Sequence, residues 1–284
     1  MKFDILLKEN TNRLNKRWIH NSYLISCLCL VMLIFILRML ESFFNISWPN
    51  VSTDKSTARI YNDLIPDVLT YLLFTLMILY SQLVQTQKYS YLTTLFIIFC
   101  FISEVLYDWT SPKCDFYFST IVALGLICEA VHFILLTKGF NKSDLFYGIG
   151  FLFVFFIFII FEIYISFYSG SSHISTLQNV GFFLYAFALC FFGWRGVCTS
   201  KTLSKGKWVL LLGISLWLTC DFTIITYHVF NNPTDFTGGG VNTGLGKIIL
   251  GMPKFTQIIQ WLTFRFGLIM LSCVNKNTFV FKAK

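Results

Sequence analysis

Runs of about twenty residues rich in Leu, Ile, Val and Phe alternate along this chain with short polar segments. A helix needs roughly 20 apolar residues to cross a hydrocarbon core of about 30 Å. Eight runs suit that requirement: Tyr23–Leu40, Ile65–Leu83, Tyr91–Trp109, Phe116–Thr137, Leu145–Tyr168, Leu177–Trp194, Trp208–Phe230 and Phe255–Val274. A transmembrane barrel would show alternation over segments of about ten residues, and these runs do not alternate. The pattern predicts an all-α, polytopic transmembrane bundle of about eight helices. Residues 1–22 read as a basic tail, 23–274 as the membrane domain and 275–284 as a second tail.

Composition agrees. Of 284 residues, 56% are hydrophobic and only 13% charged, about half the charge of a soluble domain. The net charge of +8 is placed as a membrane protein would place it. Five Lys and Arg lie before the first run (Lys2, Lys8, Arg13, Lys16, Arg17) and four follow the sixth (Arg195, Lys201, Lys205, Lys207), while the fifth connection has none. By the positive-inside rule both termini are expected in the cytoplasm, with the protein in the cell membrane of a bacterium or an endomembrane of a eukaryote. The same distribution argues against nucleic acid as a partner.

The N-terminal segment is too polar, and lacks the small-residue cleavage site, to be a signal peptide. The nine Cys show no paired spacing and lie mostly in apolar runs, as free thiols do. Two sequons, at Asn45 and Asn50, read as chance matches. The glycine-rich stretch within 231–254 departs from a phosphate-binding loop, because Val241 stands at the first glycine position and Ile248 follows Lys247. It is expected to be an external loop.

Candidate chemistry lies in the ionisable residues within the apolar runs. Such residues usually face a bundle interior or a wet cavity, since a charge at mid-bilayer costs roughly 2.5–3.5 kcal/mol. Glu104 follows Tyr91, and Asp221 follows Trp208, by the same thirteen residues. At about 1.5 Å per residue, both carboxyls stand roughly 20 Å above the cytoplasmic edge. Two acids at one depth provide acid–base equipment if they share a cavity. Asp108, one turn beyond Glu104, is a further acid of that site or an interfacial residue. Glu129 and His132, three apart on one helix, make either a relay, a metal-binding pair or a structural hydrogen bond. Arg265 requires a counter-ion, and pairing with Glu104 or Asp221 would remove that acid from proton donation. The Phe-rich fifth run is expected to face lipid.

Three stretches resemble the YhhN / lysoplasmalogenase family. Phe101-Ile102-Ser103-Glu104-Val105-Leu106 is similar to a family segment ending in Gly-Asp, and Ala130-Val131-His132-Phe133-Ile134-Leu135 to its Ala-His motif. Gly213 to Asp221 is similar to its Gly…Phe…Ser-Asp motif, and Thr263–Leu268 stands at its Thr-Tyr-Tyr-Leu-Ala-Gln run. The likeness covers Tyr91 to Ser272 in outline, with Glu104 at an Asp position, Ser103 at a Gly, Cys220 at a Ser and Leu268 at a Gln. It implies hydrolysis of the vinyl ether of a lysoplasmalogen, a membrane lipid, without cofactor or metal. Glu104 and Asp221 would act as acid and base, in either order, and His132 would orient the head group or an acid.

The residues alone also admit a non-enzymatic class: a transporter, channel or sensor using the same buried acids. A zinc-dependent membrane hydrolase fits poorly, because His132 and His228 lie at different depths.

Overall fold

The computed structural model describes the backbone of residues 2–44, 64–84, 89, 91–109, 115–137, 142–168, 176–231, 253–273 and 280–281; toward several helix ends only the backbone is described. Among these residues are eight helices: α1 (Lys2–Phe44), α2 (Leu64–Val84), α3 (Tyr91–Trp109), α4 (Asp115–Thr137), α5 (Lys142–Tyr168), α6 (Thr176–Thr202), α7 (Lys207–Asn231) and α8 (Pro253–Ser272). Two short strands, β1 (Leu203–Lys205) and β2 (Val280–Phe281), complete the all-α fold. Both sequons and most of the glycine-rich stretch lie outside the described residues.

Segments in four helices are long and apolar enough to cross a membrane: Trp18–Leu37, Ser119–Thr137, Lys142–Ile160 and Phe183–Thr202. Shorter apolar segments run over Tyr91–Leu106, Lys207–Cys220 and Leu262–Ser272. In lipid every backbone polar group must be satisfied within the protein, and a continuous helix does this unaided. Several hydroxyls follow the same logic. Thr75 donates to the Tyr71 carbonyl, Ser81 to Ile78, Ser200 to Val197, Thr219 to Ser215 and Ser272 to Ile269, all within one turn. These side chains turn polar positions into internally satisfied ones.

The chain groups into two compact units, Met1–Thr86 and Gln87–Lys284. In the first, α1 packs on α2. Tyr23, Cys27, Val31 and Ile34 recur at helical spacing on the buried face of α1, and Leu73, Phe74, Met77 and Tyr80 on that of α2. Tyr23 stacks on Tyr80 with ring centroids 3.7 Å apart and planes inclined by 7°. His20 Nδ1 lies 2.5 Å from the same tyrosine's hydroxyl.

In the second unit five helices close into a ring. Its contacts run from α3 to α4, α4 to α6, α6 to α7, α7 to α8 and α8 back to α3, while α5 packs on α6 from outside. Each ring helix contributes one residue to an aromatic cluster: Phe96, Phe133, Phe192, Trp217 and Phe264. Centroid separations run from 5.0 Å (Trp217 to Phe264) to 6.3 Å (Phe192 to Trp217), within the range of favourable ring pairs. The helix outside the ring keeps its apolar face uncovered at Phe146, Ile149, Phe153, Phe156 and Ile160, as expected of a lipid-facing element.

Glycine permits a close helix crossing. A Cβ on Gly267 would lie 3.3 Å from the Gly213 carbonyl oxygen and 3.4 Å from the Trp217 nitrogen, so α8 rests against the backbone of α7. The other special position is Gly206, whose φ of 79° reverses the chain from β1 into α7. Its carbonyl then accepts from Leu210 N at 3.1 Å, opening the helix. Antiparallel pairing of β1 with β2 fastens residues beyond α8 to the α6–α7 connection, with Leu203 opposite Phe281 and Lys205 opposite Val280.

Candidate functional site

The acid that the sequence placed at the centre of a candidate site is already paired. Glu104, toward the C-terminal end of α3, accepts a hydrogen bond from the Arg265 guanidinium on α8 and forms an ion pair with it. The arginine is buried, and the glutamate side chain keeps 24% of its surface exposed. The contact commits the carboxylate to an ion pair, which leaves it less available as a proton donor to a substrate. The short contact between α8 and α3 is therefore a charged one, set above the aromatic cluster in chain order.

Asp221 and Asp108 lie on described stretches of α7 and α3, but their side chains are outside the described residues, as are those of Glu162 and His228. The pairing expected between Glu104 and Asp221 thus has one member in view, already held by Arg265.

A second cluster joins α3 to α4. Thr93 Oγ1 donates to Glu129 Oε2 at 2.8 Å and lies 2.9 Å from His132 Nδ1. The imidazole Nδ1 is itself 3.4 Å from Glu129 Oε1. All three residues have 0% exposure. Of the roles open to Glu129 and His132, the structure supplies the hydrogen-bonded pair, with a partner that sequence spacing could not give. Thr93 donates across a helix interface, as Thr199 of α6 does to the Phe133 carbonyl of α4 at 3.5 Å. Cys100, between the two clusters along α3, is buried and lies within electrostatic reach of Glu104, Arg265 and Glu129. The two sites are neighbours on one helix.

A third cluster has no counterpart in the sequence reading. Arg195 is fully buried on α6, donates to Thr137 Oγ1 of α4 at 3.0 Å and stands 3.7 Å from Asp144 Oδ2 of α5. Trp194 Nε1 donates to the Asp144 carbonyl at 2.7 Å, and the Lys201 ammonium lies 3.0 Å from the centre of the Tyr147 ring. The reading ended the sixth span at Trp194 and gave Arg195 to a loop. The helix instead continues to Thr202 and buries it. The sequence signal was Gly193 and Gly196 flanking Trp194-Arg195. Small residues at that spacing let helices approach around a large side chain. Phe151 fills the space beside Gly193, and Ile214 with Phe133 that beside Gly196.

Among the described residues, no three His, Cys, Asp or Glu converge as metal ligands, and all eight described cysteines are free. No protein family, curated protein or solved structure matches this chain.

Proposed function

We propose that this chain is a multi-pass integral membrane protein with both termini in the cytoplasm, acting as a carrier or sensor and not as an enzyme. The observation that carries the reading is the commitment of Glu104 to Arg265, which takes the best-placed acid out of the proton-donating role a vinyl-ether hydrolase needs. Three acids of the second unit each have a partner on another helix: the partly exposed Glu104 has Arg265, and the buried Glu129 and Asp144 have Thr93 and Arg195. Such pairs latch helices together and are units that a conformational change exchanges. The aromatic cluster across the ring argues against a permanently open channel. For the orientation, the basic residues of the α6–α7 turn support a cytoplasmic position, and β2 pairs beside Lys205 of that turn.

One observation favours the hydrolase reading as runner-up: Glu104 is partly exposed, so its carboxylate is open to a water or a substrate beside Arg265. In that case Glu104 is the base, Asp221 the acid and the substrate a lysoplasmenyl membrane lipid. Aldehyde release by purified protein in vesicles separates the two. The carrier or sensor reading expects no release from the wild type. Release that is lost in Glu104→Gln and Asp221→Asn, with both variants folded, would replace it with the hydrolase.

A further inference from the structure

Thr93, Glu129 and His132 form a polar island with no measurable exposure, and their hydrogen bonds set a proton inventory. The threonine has one hydroxyl proton and two neighbours, a carboxylate oxygen at 2.8 Å and an imidazole nitrogen at 2.9 Å. A bare carboxylate in this position would be a fully buried charge in contact with a hydroxyl and an imidazole, a costly arrangement unless neutralised. Among the described residues, His132 is the contact of Glu129 that can also carry a positive charge. Overall neutrality is reached when the pair holds one proton more than a carboxylate and a neutral imidazole.

We propose that this cluster is a proton-binding site in which Thr93 bridges Glu129 and His132, and His132 Nε2 is the atom through which the proton enters and leaves. Two arrangements hold the same number of protons. In the first, Glu129 is ionised and His132 is a cation; Nδ1–H points to the threonine oxygen, whose hydroxyl points to the carboxylate. In the second, the hydroxyl proton has moved to Glu129 and the Nδ1 proton to Thr93. One N–H bond is broken, one carboxylic O–H bond is formed, the hydroxyl is regenerated and both charges vanish. Nε2–H is untouched by the exchange. It is buried and lacks a hydrogen-bond partner among the described residues, which marks it as the port for a proton acceptor such as water.

Among the described residues, the surroundings do not supply a competing charge. On α3 the ionisable groups facing this interface are Cys100 and Glu104, and Glu104 is paired with Arg265 of α8. On α4 itself Cys128 adjoins Glu129, and on α6 the charged groups are engaged elsewhere: Arg195 is paired with Asp144, and Lys201 lies over the Tyr147 ring. The site shares α3 with Glu104 but no hydrogen bond joins the two among the described residues, and it holds whether the protein is a carrier, a sensor or an enzyme.

The test is nitrogen NMR of histidine-labelled full-length protein in lipid nanodiscs across acid to alkaline pH, with the His132 signals assigned by their loss in His132→Gln. The expected result is a step from a cationic or Nε2–H imidazole to the Nδ1–H tautomer as the proton is lost. Glu129→Gln should abolish the step, because no buried carboxylate then demands a proton. Thr93→Val keeps both ionisable groups and removes the bridge, so the midpoint should move by about one pH unit, the equivalent of one hydrogen bond to a charged group, and Thr93→Ser should restore it. A single unchanged form of His132 at every pH, or a step identical in Glu129→Gln, would overturn the proposal. If Glu129→Gln does not fold, an unmoved midpoint in Thr93→Val overturns it instead.

Discussion

Arg265 on α8 and Glu104 on α3 meet as an ion pair where two helices of the ring have few other contacts. The pair therefore fastens an edge of the ring that packing alone leaves weak. Removing one partner of a buried pair leaves an uncompensated charge, at a cost of about 3–5 kcal/mol. Glu104 is partly exposed, so Arg265→Gln should cost roughly 3 kcal/mol, toward the low end of that range. Glu104→Leu with Arg265→Met should recover most of the loss. Thermal unfolding in detergent, read as a double-mutant cycle, gives the coupling. Independent, additive effects would mean that the pair does not fasten the ring.

Trp217 contacts Phe96, Phe192 and Phe264 and is one of the largest fully buried side chains. Trp217→Ala should destabilise by about 3–5 kcal/mol, whereas Phe192→Leu should cost less because it leaves a smaller cavity. Both are measured by the same unfolding experiment. A small effect of Trp217→Ala would show that the cluster does not support the ring.

Gly267 and Gly150 offer a matched comparison. An added methyl at Gly267 meets the backbone of α7, while at Gly150 it meets nothing within 4 Å. Gly267→Ala should therefore cost about 1–3 kcal/mol through strain, and Gly150→Ala should be neutral or stabilising by up to about 1 kcal/mol. A shared direction of change would refute the close crossing of α7 and α8.

Val280→Pro should release β2 from Lys205, because proline disrupts strand pairing. Hydrogen exchange at Leu203–Lys205 is expected to rise, with little change in the unfolding temperature. Unaltered exchange there would mean that the strand pair does not govern local opening.

The helical layout was legible because apolar runs of membrane length can satisfy their backbones in few other ways. Glu104, Glu129, His132 and Arg265 were also legible, each being ionisable inside such a run. The pairing of Arg265 with Glu104 was one of two options that depth allowed, and the structure selects it. Thr93 was not legible as a site residue: a membrane threonine usually bonds within its own helix, and only the approach of α4 turns this one outward. Arg195 was hidden differently. Charge and an adjacent tryptophan mark the edge of a membrane, and the opposite reading requires Asp144 and Thr137 from two other helices.

The β1–β2 pair gives the C-terminal end a task in assembly. A ribosome makes β1 well before β2, so the clasp cannot close until α7 and α8 have been synthesised and brought back to the side where β1 waits. Its closure records that α7 and α8 are in place. A chain cut before Val280 would keep every described helix yet lack that fastening, and the α6–α7 turn should then be cut by proteases faster than in the uncut chain.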